Sequence, residues 1–164
     1  MKKPSGFTLV ELLITIAIIG LLASFVTVSL GGARSKARDT KRRSDLSQIG
    51  RLLYATSCLL PSTGAGDYDL VDLFTDLVAQ DAKYAKYANA LPKDPRLGND
   101  SESYYRYVVT AGGTSCAIYA NLEDQDTEVT LPVLTSPTAG GGTGVLQASS
   151  PGWNGSRLYY QIGK

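Results

Sequence analysis

Histidine is absent from the chain, and cysteine occurs only twice, at Cys58 and Cys116. Without an imidazole there can be neither a Ser-His-Asp relay nor a histidine-based metal centre. No other catalytic constellation is present, so the chain is expected not to be an enzyme and to need no cofactor or metal. Charge is nearly balanced, with 16 Lys and Arg against 15 Asp and Glu and a net of +1. At 164 residues there is room for one domain and an anchor.

What the chain does have is concentrated at its start. Residues 1–30 read MKKPSGFTLVELLITIAIIGLLASFVTVSL: a basic leader, a small Ser5-Gly6 pair, then an apolar run carrying one carboxylate, Glu11. As a helix, the run from Phe7 to Leu30 would extend about 36 Å, enough to span a bilayer with tilt. A lone acid in such a span is disfavoured, which makes a function its default explanation. A secretory signal would share the leader lysines Lys2 and Lys3, but it is cut after its apolar run, whereas Ser5-Gly6 precedes this one. Cleavage at Gly6 would keep the anchor. An ordinary one-pass anchor, with Glu11 snorkelling from the first turn of the helix, is the other plain reading.

Gly6-Phe7-Thr8-Leu9-Val10-Glu11-Leu12-Leu13, behind Lys2 and Lys3, resembles the class III leader and mature start of type IV pilins and type II secretion pseudopilins. Gly20 matches the glycine usual at the fourteenth mature position. The resemblance implies that a prepilin peptidase cuts after Gly6 and methylates the new N-terminus at Phe7. It gives Glu11 a task, since in a staggered bundle of parallel helices its carboxylate can meet the Phe7 amine of a neighbouring subunit. Such a pair offsets two desolvation costs and serves register more than net stability. The chain departs from many pilins in having Val28 where a proline is common, so helix flexibility falls to Gly20 and the Gly31-Gly32 pair. One helix continuing through that pair and a membrane helix ending there are both open readings.

Arg34, Lys36, Arg38, Lys41, Arg42, Arg43 and Arg51 follow, against only Asp39 and Asp45. These charges fall on nearly every face, while Leu46, Ile49 and Leu53 form a stripe suited to packing on a sheet. Nucleic acid is not expected as a partner: no aromatics interleave with the basic residues, and a solvated helix pairing with acids on neighbours is the plainer reading. Removing residues 1–6 would leave 14 basic against 15 acidic side chains, a net of −1. The basic flank opposes the orientation that the leader demands; the leader motif is the more specific of the two signals.

The remainder reads as a small head. Pro61 is expected to stop the long helix, and residues 62–66 to form a loop. Asp67 or Asp69 can cap an amphipathic helix through Leu70, Val71, Leu73, Phe74, Leu77 and Val78, and a second helical piece holds Tyr84, Tyr87 and Leu91. Residues 104–110 and 116–122 read as a hairpin turning through Ala111-Gly112-Gly113. Residues 157–162 could add an edge strand, and 134–152, rich in Ser, Thr, Pro and Gly, read as an exposed mobile loop. Cys58 and Cys116 are an even pair that an exported domain can oxidise; two buried free thiols are the alternative. Asp94, Asp100, Asp124 and Asp126 are loop acids. Leu91-Pro92-Lys93-Asp94-Pro95 is similar to the segment before the calcium loop of major pseudopilins, but Arg96-Leu97 replaces the expected Trp-Gly, and solvated turn acids are favoured over a calcium site.

The expected fold is therefore α+β: a long N-terminal helix packed on a small antiparallel sheet. Its divisions are a leader (1–6), a transmembrane and assembly helix (7–30), an amphipathic continuation (31–60) and a globular head (61–164). The resemblance implies a structural subunit polymerised into a surface type IV pilus, or alternatively a pseudopilin in the short periplasmic filament of a type II secretion system. Implied partners are further copies of the chain, the prepilin peptidase, the pilus or secretion assembly machinery, and membrane lipid before assembly. The implied location is the cytoplasmic membrane, single-pass with an exported head, and then the cell-surface pilus.

Overall fold

A computed structural model describes residues 6–53 and 57–164, except for the side chains of 25–30. Leader residues 1–5 and the side chain of Val28 lie outside the described set. The chain divides into two compact units, Met1–Ser35 and Lys36–Lys164.

Helix α1 (Leu9–Leu53) begins in the first unit and runs unbroken through Gly20, Gly31 and Gly32. Among the described residues nothing lies within 4 Å of where a Cβ would stand at any of these glycines. Apolar side chains are exposed at 9, 10, 12, 13, 14, 16, 18, 19, 21 and 22, on every side of the helix. An all-round apolar helix belongs in lipid or inside an assembly. Among the described residues no helix is long and apolar enough to cross a membrane; described side chains of the run stop at Ser24, while the sequence stays apolar to Leu30.

The second unit is the head. Leu46, Ile49 and Leu53 of α1 are buried together with Leu70, Phe74, Tyr105, Tyr107, Val109 and Ile118, as the stripe predicts. Strand β1 (Gly66–Asp69) leads into α2 (Leu70–Gln80), whose N-cap is Asp69. The Asp69 carboxylate accepts from the amides of Val71, Ser103 and Tyr104 at 2.9 Å each. It therefore caps the helix and also holds Tyr104 at a φ of 61°, a left-handed conformation that costs a non-glycine residue about 1–2 kcal/mol. A 3₁₀ turn (Ala82–Tyr84) and α3 (Ala85–Ala88) follow, and α3 ends before Leu91.

Strands β2 (Arg106–Val109) and β3 (Cys116–Asn121) form the predicted hairpin, and β4 (Gly144–Gln147) and β5 (Leu158–Gly163) complete an antiparallel sheet in the order β1-β2-β3-β5-β4. The architecture is α+β, a helix on a five-stranded antiparallel sheet.

Three local expectations are corrected. β5 is an inner strand rather than an edge, because β4 pairs along its far side. β4 arises within the segment read as a mobile loop, where Val145 and Leu146 are buried. Pro61 does not stop the helix: residues 57–60 are already non-helical, leaving the Leu59 carbonyl free to accept from the Tyr107 hydroxyl at 2.9 Å and Cys58 free to reach β3.

Cys58 and Cys116 are joined in a disulfide across a separation of 58 residues. Opening a cross-link over that span is expected to cost about 4 kcal/mol in the chain-entropy model. Urea unfolding of the detergent-solubilised chain with and without reductant reads this directly, the reduced form shifting to lower denaturant.

Candidate functional site

The apolar segment opens with a reciprocal cap. Thr8 precedes α1, and its amide and hydroxyl both donate to Glu11 Oε2, at 3.0 and 2.7 Å. In return, Glu11 N donates to Thr8 Oγ1 at 3.2 Å. This is a capping box, with Glu11 at the third helical position using its carboxylate to satisfy an otherwise orphaned N–H. The Thr-x-x-Glu spacing carried this signal, and the reading of Glu11 as a lone acid overlooked it. Phe7 stands beside it, 77% exposed, and Gly6 is exposed in non-helical backbone. The structure thus groups Gly6, Phe7, Thr8 and Glu11 at one helix end, with Gly20, Gly31 and Gly32 further along α1 and the cystine in the head.

The second charged site lies inside the head. Arg42 is fully buried. Its Nε and Nη2 grip both Asp94 oxygens at 2.7 and 3.0 Å, Nη1 donates to Asp39 Oδ1 at 2.6 Å, and Nη2 also donates to Glu123 Oε1 at 2.6 Å. Arg38 braces the far side of Glu123 from Nε and Nη2, at 2.8 and 2.5 Å. Lys41 pairs with Asp45 at 2.6 Å. The basic run of α1 is therefore not a solvated face awaiting acids from neighbours, since Arg38, Lys41 and Arg42 find their acids within this chain. One signal was available: Arg42, Leu46, Ile49 and Leu53 follow one another at helical spacing and share a face.

Comparison with known proteins bears on the N-terminal site first. A family model for the prokaryotic N-terminal methylation motif matches residues 1–27. The type II secretion system core protein G of Vibrio cholerae is 34% identical over 111 residues, covering 66% of this chain and 73% of that protein. The chain belongs to the type IV pilin and pseudopilin family. The core protein G of Escherichia coli is 39% identical over 103 residues, 60% of this pilin-like chain and 70% of that protein. The type IV wide pilus major component PilA4 of Thermus thermophilus is 52% identical over 40 residues, 24% of this chain and 30% of that protein. No solved structure matches.

In this pilin-like head the four loop acids are dispersed. Asp94 is buried on Arg42 and accepts from the amides of Arg96 and Leu97 at 2.9 and 3.1 Å, so the two residues that replace Trp-Gly close a turn over its carboxylate. Asp100 pairs with Lys93, the Asp124 amide donates to Asp39 at 2.8 Å, and Asp126 is exposed. Among the described residues no group of three or more acids, cysteines or histidines is placed to hold a metal ion.

Burial opposes ionisation of Asp94, but the Arg42 guanidinium, the Arg96 amide and Asn154 outweigh it and hold the carboxyl below its usual range. Hydrogen bonds from Arg38, and then from Arg42, do the same for Glu123 against its burial. Depressed carboxylates add stability that is fully present above their unfolded values and is lost as pH falls through the lower folded ones. Arg42→Ala leaves three acids without their common cation and is expected to cost about 3–5 kcal/mol. Urea titrations of the two proteins at pH 7 measure that cost, and repeating them on the parent chain from pH 6 to 3 measures the acid loss.

Proposed function

We propose that the chain is a structural filament subunit of the pseudopilin type, built into the short filament of a type II secretion system. The observation that carries this reading is the similarity to two core protein G sequences over 70% and 73% of their lengths. That similarity favours the alternative drawn from the sequence over a surface pilus. A surface type IV pilus stays as the second reading because of the 52% identity to the wide-pilus component, which spans far less of either chain. The role is structural rather than enzymatic.

In this proposal a prepilin peptidase removes residues 1–6 after Gly6 and methylates Phe7. The subunit waits in the cytoplasmic membrane as a single-pass protein, its apolar helix (7–30) in lipid and its head exported, until the secretion machinery polymerises it with further copies. Cleavage places a new ammonium at Phe7, within a turn of Glu11. In the isolated chain Glu11 is occupied by Thr8, so its charge is already partly satisfied before assembly. When helices pack, Glu11 meets the Phe7 amine of a neighbour, and each charge then has a partner in a medium that would otherwise exclude it. Gly20, Gly31 and Gly32 let α1 bend or melt locally as the subunit leaves the bilayer, and the Cys58–Cys116 disulfide locks the exported head.

Mass spectrometry of native membranes and of sheared surface material tests this. Methylated Phe7 termini are expected in the membrane fraction and absent from the surface shear. Their abundance in surface filaments would transfer the chain to the pilus reading, and an uncut Met1 terminus would sink both. Glu11→Ala is expected to be processed normally while yielding about ten-fold less filament, the effect of losing roughly 1.4 kcal/mol at a subunit contact; wild-type filament levels from this variant would remove Glu11 from assembly.

A further inference from the structure

The head carries a matched knob and hollow at opposite ends of its sheet. Val133 is 89% exposed, the most exposed of the large apolar side chains outside α1. It is displayed rigidly. Leu131 and Leu134 on either side pack against Tyr119, Leu146 and Tyr159, and Leu134 N closes the turn on Leu131 O at 3.2 Å. The same loop is tied to β4, since the amides of Thr130 and Leu131 donate to the Val145 carbonyl at 2.9 and 2.8 Å. Pro132 and Val133 are thereby pushed outward with little freedom left to lose on binding.

At the other end of the sheet, α2 packs on β1 and β2, and an apolar hollow of about 160 Å³ opens between α1 and the α2–α3 segment. Ile49, Leu52, Phe74, Tyr87, Leu91 and Pro92 line it, leaving room for an aliphatic side chain. The two features also differ in charge. Asp126 and Glu128, just before the knob, are exposed and in no ion pair among the described residues, and Arg157 on that side pairs with neither. By the hollow, Arg51 is exposed with no acidic partner among the described residues, and the Lys86 ammonium lies 4.6 Å from the centre of the Tyr87 ring. Lys83 is already paired with Asp81.

We propose that the occupant of the hollow is Val133 of a second copy of this chain, with Asp126 and Glu128 of that copy facing Arg51 and Lys86. Because knob and hollow sit at different ends of one sheet, the contact is heterologous: every copy uses one surface to bind forward and the other to bind back. A contact of this kind makes a ring where its rotation closes and an open helix where it does not, and the filament reading takes the second. It gives the head its own share of subunit recognition, beside the packing of α1. The inference rests on the filament reading above.

The test uses the full chain expressed with its assembly machinery, scoring filament yield alongside processing and disulfide formation. Val133→Asp is expected to lower yield about ten-fold, as for an anchor side chain removed from its pocket. The double reversal Asp126→Lys/Glu128→Lys should do the same, as should Arg51→Glu/Lys86→Glu. All four reversals in one chain should restore yield, since the charge pairs then re-form with inverted sign. Wild-type yield from Val133→Asp overturns the proposal. So does a defect that the four-fold variant fails to recover, which would assign these charges to a different protein. Absence of filaments from the unmodified chain would instead overturn the filament reading itself.

Discussion

One buried guanidinium organises the head. Arg42 has no contact with solvent, so its charge must be answered entirely by protein. Isolated, it would carry a desolvation penalty of several kcal/mol. Three carboxylates answer it, and each comes from a different stretch: Asp39 from one turn earlier in α1, Asp94 from the turn after α3, and Glu123 from just beyond β3. Asn154, far along the chain, donates to Asp94 at 3.0 Å and to the Asn121 carbonyl at 2.9 Å. Helix, sheet and the loop before β5 are thus referred to a single side chain. The geometry is directional as well as ionic, because the fork on Asp94 admits one orientation of the guanidinium plane. Hydrophobic packing by Leu46, Ile49 and Leu53 supplies area; the guanidinium fixes the rotation of this helix segment about its axis.

Much of this architecture was legible in the sequence. The α2 helix announced itself through its apolar period and the Asp69 cap, and the β2–β3 hairpin through two runs rich in Tyr, Val and Ile joined by Ala111-Gly112-Gly113. β4 was not legible, because Val145 and Leu146 are a single pair of large apolar neighbours within a stretch of Ser, Thr, Gly, Ala and Pro. It exists because β5 offers it a ladder, which is a tertiary cause. β1 was hidden in the same way: Gly66, Asp67 and Asp69 are poor strand formers, and the strand is held by β2 and by Arg106 and Tyr119 on Asp67. The buried ion cluster was missed because its partners lie 52 and 81 residues beyond Arg42. A charge rosette on a helix looks solvated until the distant acids are placed.

The two ends of α1 handle charge by opposite means. At the N-terminus the single acid of the apolar segment is hydrogen-bonded locally, by one hydroxyl and one amide of the same turn. In the head, Arg42 is held by three groups at once and is not exchangeable. For the proposed passage from bilayer to filament this contrast is useful: a polar group ready to change partners where the environment changes, and a fixed one where the fold must survive the transfer.

The sheet's outer edges lead to a different consequence. At β4 the exposed side of the ladder is already occupied by its own loop, through the Val145 carbonyl and through Val145 N on Thr130 Oγ1 at 2.8 Å. At the other end β1 is only four residues long and carries two aspartates. Neither edge offers a long, uncharged template for a further strand. On the filament-subunit proposal, copies gathered in a membrane would meet through side chains rather than through backbone. The proposed growth of an ordered fibre and the avoidance of a disordered one thus fall to different surfaces of the same small domain.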